Sequence, residues 1–283
     1  MEVNSSISVF GGTGFIGSRF CEMYPNETTI VEKEDYISKS NNILYFISTV
    51  DNYNIHKDLH VDIDTNLTVL MNMLENIDKD NKEIVINFVS SWFVYGKNKV
   101  LPFNEDLSDC NPTGFYSITK RSAEQMLISF CKTFGMKYRI FRLANVLGEG
   151  DNKISRKKNA LQYMIKCIAQ NEEIFLYDGG NIVRDYIYVD DVCEAIYTLV
   201  RNAEYDQIIN IGNGIPYVLK DIITQAIEVA QSSSKVNIIK PSYFHEIVQV
   251  KDSYLDITKL KNYKFESRYS MEEVIKRLIL HYK

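Results

Sequence analysis

Tyr116 and Lys120 stand four residues apart in the run Phe115-Tyr116-Ser117-Ile118-Thr119-Lys120, and on a helix that spacing puts a phenol and an ammonium on one face. A phenol ionises near pH ~10 and is a poor base at neutrality unless something stabilises its anion, which a neighbouring cation does. Upstream, Ser90-Ser91 closes the apolar run from Ile84 to Val89. Ser91, at such a strand end, would hold a reacting oxygen against the phenol. Ser91, Tyr116 and Lys120 would then form a proton-transfer set. A tyrosine and a lysine at this spacing also occur on ordinary solvated helix faces, so the elements that position them decide between the two readings.

The first of these elements is strand, glycine turn and helix. Ile7-Ser8-Val9-Phe10 is a short apolar run, followed by Gly11-Gly12-Thr13-Gly14-Phe15-Ile16-Gly17 and then a helical pattern carrying Phe20 and Met23. Such glycines let the backbone turn sharply and approach a pyrophosphate, whose charge the helix N-terminus favours. Gly11, Gly14, Phe15, Ile16 and Gly17 are therefore the expected dinucleotide cradle. A second strand, Thr28 to Val31, leads into Glu32, 21 residues after Gly11, where an acid binds an adenosine ribose and repels a 2′-phosphate. NAD is the expected cofactor; Lys33 beside Glu32, and Arg19 on the first helix, keep NADP open.

Two further dense apolar runs, Ile43 to Ile47 and Ile84 to Val89, read as buried strands, each followed by a helical segment. The expected fold is α/β, a Rossmann-like doubly wound parallel sheet with a smaller α+β domain. Ligands gather at the carboxyl ends of such strands, where Ser48, Thr49 and Ser91 fall. Only about ten residues separate Glu32 from Ile43, too few for the helix and strand of a full half-Rossmann unit. One edge strand should be missing, leaving the adenine side of the cofactor site shallow.

Composition narrows the function further. The chain has 283 residues, a net charge of −5 and interspersed charges, which argues against a nucleic-acid surface. No apolar run has the roughly 18 residues of a membrane span, and Met1-Glu2-Val3-Asn4 shows neither the basic flank nor the apolar core of a signal, so a cytoplasmic location is expected. The five cysteines lack close pairing, which suits reduced thiols. His56 and His60 have no third ligand nearby, and no metal site is expected.

Five ordered motifs resemble the extended short-chain dehydrogenase/reductase family, in its branch of nucleotide-sugar epimerases, dehydratases and ketoreductases. They are Gly11 to Gly17; Ser90-Ser91-Trp92-Phe93-Val94-Tyr95-Gly96; Tyr116 to Lys120 with Glu124; Arg142-Leu143-Ala144-Asn145-Val146-Leu147-Gly148; and Arg184 to Val192. The resemblance covers nearly the whole chain. It implies that Ser91, Tyr116 and Lys120 are catalytic, that Ile47, Ser48, Thr49 and Asn66 line the cofactor, and that Lys120 holds the nicotinamide ribose. It also implies a nucleotide-sugar substrate held by Asn145 and Arg184, with Phe175, Leu176 and Tyr177 at its base. Asp190 reads as an N-cap of the helix that follows it. The domains expected are 1–147 plus about 184–212 for the dinucleotide, and about 148–183 plus 213–283 for the nucleotide sugar. Homodimerisation through the helix around Asp64 to Asn76 and the one carrying Tyr116 is expected.

Two departures refine this. Dehydratases of the branch typically carry an acid pair after the catalytic Ser or Thr, whereas here the residues are Trp92 and Phe93, which transfer no proton. A 4,6-dehydratase is therefore disfavoured. The family arginine expected before Asp256 has no counterpart; His245, Glu246 and Lys251 occupy that stretch. The expected activity is nucleotide-sugar epimerisation by hydride transfer, at C4, with an NAD(P)H-dependent 4-keto-6-deoxy nucleotide-sugar reductase as the alternative. A non-catalytic dinucleotide sensor is a third reading, against which the intact triad speaks.

Overall fold

The computed structural model describes residues 6–283; Met1-Glu2-Val3-Asn4 lies outside them. The described chain opens with β1 (Ile7–Phe10), α1 (Phe15–Met23), β2 (Thr28–Val31) and β3 (Asn42–Tyr45). After β3 the chain forms α2 (Val61–Ile63), a π turn over Asp64–Thr68 and α3 (Val69–Glu75), then β4 (Val85–Ser91), α4 (Phe115–Phe134), β5 (Lys137–Leu143) and β6 (Asn145–Leu147). The second half alternates α5 (Ala160–Ala169), β7 (Ile174–Tyr177), β8 (Val183–Arg184), β9 (Tyr186–Tyr188), α6 (Val189–Asn202), β10 (Gln207–Ile211), β11 (Tyr217–Val218) and α7 (Leu219–Ala230). It closes with β12 (Val236–Ile239), α8 (Tyr243–Val248), α9 (Thr258–Asn262) and α10 (Met271–Tyr282).

Six strands form one sheet in the order β10-β5-β4-β3-β1-β2, and every pair in it is parallel. Strands buried on both faces need apolar runs without alternation, as β1 and β4 have. One face packs Phe10, Tyr45 and Phe88 against Leu70 and Met73 of α3 and Leu127 of α4. The other packs Val9 and Leu44 with Phe20 of α1 and Ile196 of α6. Helices thus cover both faces, and the order reverses between β1 and β3, which opens a crevice at their carboxyl ends.

The segment between β2 and β3 contains no helix or strand. β2 is consequently the sheet edge, and the edge strand expected to be absent is absent. The strand expected over Ile43 to Ile47 stops at Tyr45. The helix expected from Asp64 begins earlier, at Val61, and changes pitch at its π turn.

Asp190 does not cap α6, whose N-cap is Tyr188. Its carboxylate instead accepts a forked pair from Arg19 of α1, Nε at 2.6 Å and an η nitrogen at 2.9 Å. One position inside the helix, the side chain faces the neighbouring helix rather than its own amides. Arg19 is thereby turned toward α6 and away from the role beside Glu32 that its sequence position allowed.

Candidate active site

A cleft of 1440 Å³ runs along the carboxyl ends of β1, β3, β4 and β5 and is also lined by residues of β7 and α8. Its floor is set by the glycine turn. Gly11 has φ +80°, which only glycine adopts freely, and a Cβ on Gly17 would lie 2.3 Å from the carbonyl oxygen of Gly11. The helix therefore sits closer to the turn than a side chain would allow. Hydrogen bonding in α1 begins with Ser18 N–H to the Gly14 carbonyl at 2.8 Å, so the amides of Phe15, Ile16 and Gly17 have no partner within the helix. A narrow turn with free amides fits a dinucleotide pyrophosphate.

Ser90 and Ser91 share a strand end but point to opposite sides, as alternation along a strand requires. Ser90 Oγ donates to Glu124 at 2.5 Å, and Glu124 is held by Arg142 at 2.8 and 3.0 Å and by Arg121 at 2.8 Å. Burial pushes the Glu124 carboxyl up, but Arg142 and these hydrogen bonds outweigh it and hold the group below the ordinary carboxylate range. This buried knot fixes β4 and β5 to α4. Ser91 faces the cleft, where its Oγ also accepts from Phe93 N–H at 3.3 Å.

Tyr116 and Lys120 lie on one buried face of α4 and both line the cleft with Ser91. Burial raises the Tyr116 pKa, while hydrogen bonding with Ser91 and Ser48 pulls it back without reversing the shift. Lys120 Nζ donates to the Val89 carbonyl at 2.8 Å and lies 4.1 Å from the centre of the Phe88 ring. Desolvation pushes its pKa down to about 7, against a smaller opposing effect of Glu124. Both groups are desolvated in this site, and burial is the largest cause of each shift.

Gly11, Gly14, Phe15, Ile16, Gly17, Ser48, Ser91, Tyr116 and Lys120 line this one cleft, as do Asn145, Phe175, Leu176, Tyr177 and Arg184. Glu32, Ile47, Thr49 and Asn66 lie outside its wall. Glu32 is exposed just beyond Val31, which pairs with Phe10 before the glycine turn. Ile47 packs against Gly11, 3.1 Å from where a Cβ would be. Asn66 is turned inward: its amide oxygen accepts from Thr49 N–H at 2.8 Å, and its amide nitrogen donates to Thr49 and Thr119 at 2.9 Å each. Thr49 and Asn66 thus brace the loop after β3 against α4 instead of lining the cavity.

Arg184 is at the wall, but its guanidinium donates to the carbonyls of Val183, Val250 and Lys251 at 2.6 to 2.7 Å. Its fork is occupied by backbone and not free for a diphosphate, because the segment before Asp252 passes directly beneath it. Asn145 donates to the Asp185 carbonyl at 2.9 Å and accepts from the Trp92 indole at 3.3 Å. Phe93 stacks on Trp92, with ring centres 4.0 Å apart, and meets Tyr116 edge-on at 6.0 Å.

Sequence reasoning missed the cations Arg156 and Lys157, which line the cleft, and the pair Tyr53 and His245. Tyr53 Oη lies 2.6 Å from His245 Nδ1, joining the loop after β3 to α8. The charged run Arg156-Lys157-Lys158 was a visible signal; the Tyr53 contact, 192 residues apart, had none. Among the described residues no cluster of His, Cys, Asp or Glu could hold a metal ion, and no helix is long and apolar enough to cross a membrane.

Residues 42–212 match the model of the NAD-dependent epimerase/dehydratase family. Among curated relatives, CapI of Staphylococcus aureus is 32% identical over 59% of this chain and 53% of its own length. The UDP-glucuronate 4-epimerase of Thermodesulfobacterium geofontis is 28% identical over 77% of this chain and 64% of its own. The chain thus spans between about half and two thirds of these relatives. Its fold matches that of UDP-glucose 4-epimerase from Thermotoga maritima, solved with UDP-glucose, with a TM-score of 0.85, 23% identity and 98% of each chain covered.

Proposed function

Since the chain belongs to the NAD-dependent epimerase/dehydratase family, we propose that it is a nucleotide-sugar epimerase acting by hydride transfer at a sugar carbon, C4. The observation that carries this reading is the convergence of Ser91, Tyr116 and Lys120 on the same cleft as the glycine turn. Bound NAD would supply the hydride acceptor, and then the donor, beside these side chains; the rest is the work of the chain.

Tyr116 as phenolate takes the proton of the sugar hydroxyl as the carbon's hydride departs, leaving a ketone. It returns that proton to the oxygen when hydride comes back on the opposite face, so atoms and electrons balance and the configuration inverts. Ser91 orients the oxygen, and Lys120 holds the nicotinamide ribose and, when protonated, favours the phenolate. The glycine turn and the amides of Phe15, Ile16 and Gly17 hold the pyrophosphate of NAD. Glu32 favours NAD over NADP, the more so because Arg19 is engaged by Asp190. Ile47, Thr49 and Asn66 act as braces of the cofactor wall.

Residues 1–147 with about 184–212 form the dinucleotide lobe on this reading, and about 148–183 with 213–283 the substrate lobe. Asn145, Phe175, Leu176 and Tyr177 serve the nucleotide. Trp92 and Phe93, which cannot shuttle protons, stand against 4,6-dehydration. Phe93, edge-on to Tyr116 and backed by Trp92, favours a second reading, one-way reduction of a 4-keto nucleotide sugar by NAD(P)H, in which the ketone does not turn over in the site. Two copies would pair through α3 and α4, where Met71, Met126 and Phe130 line a shallow groove; light scattering giving a monomer would remove this.

Incubation with UDP-, dTDP- and GDP-sugars and their 4-keto forms, following NADH absorbance, separates the readings. Interconversion of C4 epimers without net change in NADH is the expected result; stoichiometric NADH consumption makes the protein a reductase. NAD binding without turnover of any of them leaves a sensor.

A further inference from the structure

We infer that Arg156 and Lys157 are the cations that grip the substrate diphosphate, in place of Arg184; this rests on the nucleotide-sugar reading above. Partners set these two apart from two other cations of the cleft. Lys158 is neutralised by Asp151 at 2.8 Å, and Arg184 is tied to backbone carbonyls. Arg156 and Lys157 are exposed, and each lies over an aromatic ring: Arg156 4.3 Å from the centre of Phe175, Lys157 4.9 Å from that of Tyr53. A ring face attracts a cation through its quadrupole but carries no formal charge, so it places the cation without neutralising it.

The loop that carries them is closed at its base. Ser155 N–H donates to the Lys158 carbonyl at 2.8 Å and Lys158 N–H to the Ser155 carbonyl at 3.1 Å, while Ser155 Oγ accepts from Lys157 N–H at 3.2 Å. Arg156 and Lys157 are therefore the two tip residues of a tight turn. Phe175 comes from β7 and Tyr53 from the loop after β3, so successive residues rest their positive charges on rings from two different segments of the cleft lining. Two adjacent phosphates, one of them able to take a guanidinium fork, match that pair.

Calorimetric titration of the NAD-loaded protein with UDP, dTDP, GDP and CDP identifies the diphosphate that the native chain binds. That ligand and its unphosphorylated nucleoside are then titrated into Arg156→Gln, Lys157→Gln, the double variant and Arg156→Lys. Each neutral variant is expected to weaken the diphosphate about tenfold or more and to flatten its salt dependence, with NAD and nucleoside affinities unchanged and Arg156→Lys intermediate. A double variant that binds the diphosphate as the native chain does, or that loses nucleoside affinity equally, overturns the inference. If none of the four diphosphates binds the native chain, the nucleotide-sugar reading falls, and this inference with it.

Discussion

The glycine turn and the turn that carries Arg156 and Lys157 form two walls of one cleft, yet they are made of different material. The first is backbone: a left-handed Gly11, a close approach at Gly17 and three helix amides without partners. The second is long side chains resting on rings, Arg156 over Phe175 and Lys157 over Tyr53. Backbone amides fixed by a turn lose no side-chain freedom when a ligand arrives, whereas lysine and arginine must be immobilised. The contrast teaches that one wall suits an invariant ligand such as a dinucleotide, and the other a substrate that enters and leaves at each turnover.

The largest effect is expected at the group both walls serve. Tyr116→Phe should lower the single-turnover rate by about 10² to 10⁴, read from quenched-flow conversion of one C4 epimer into the other, with NAD and diphosphate affinities intact. Loss of either affinity would mean that the phenol belongs to one of the walls. Next comes the knot beneath them: Glu124→Ala leaves Arg142 buried without its partner and should cost about 3–5 kcal/mol in urea unfolding. A loss within experimental error would show that the walls do not depend on it.

Gly17→Ala sharpens the comparison more finely. Its methyl would meet the Gly11 carbonyl and should weaken NAD about tenfold, near 1.4 kcal/mol, leaving diphosphate binding unchanged in parallel titrations; equal losses would make the walls one unit. The smallest effect is a slope. Lys120 ionises at about 7 in the fold against 10.5 in the unfolded chain, so between these values the unfolded state binds more protons and stability rises with pH. The rise is about 1 kcal/mol from pH 7 to 8, and Lys120→Met should abolish it in urea titrations over that unit.

Legibility followed the same division. The glycine turn, the strands at Ile7 and Thr28, the short path from Glu32 to Ile43 and the pairing of Tyr116 with Lys120 are local, and spacing alone displays them. The inward turn of Asn66, the occupation of Arg184 by the Val250 and Lys251 carbonyls and the Arg19 to Asp190 fork depend on segments brought together only by folding. Arg156 and Lys157 show the limit well: their charges were visible, but only the rings beneath them and Asp151 beside Lys158 separate a gripping cation from a neutralised one.

The sheet that stops at β2 has a consequence for the protein among its own copies. An outermost strand displays unpaired amides and carbonyls that can template a strand from another molecule. β2 is four residues long and runs straight into Glu32, Lys33 and Glu34, all exposed. A rim this short, with charges at its exit, offers little purchase for intermolecular pairing, so the truncated sheet guards against aggregation without any element to cover it.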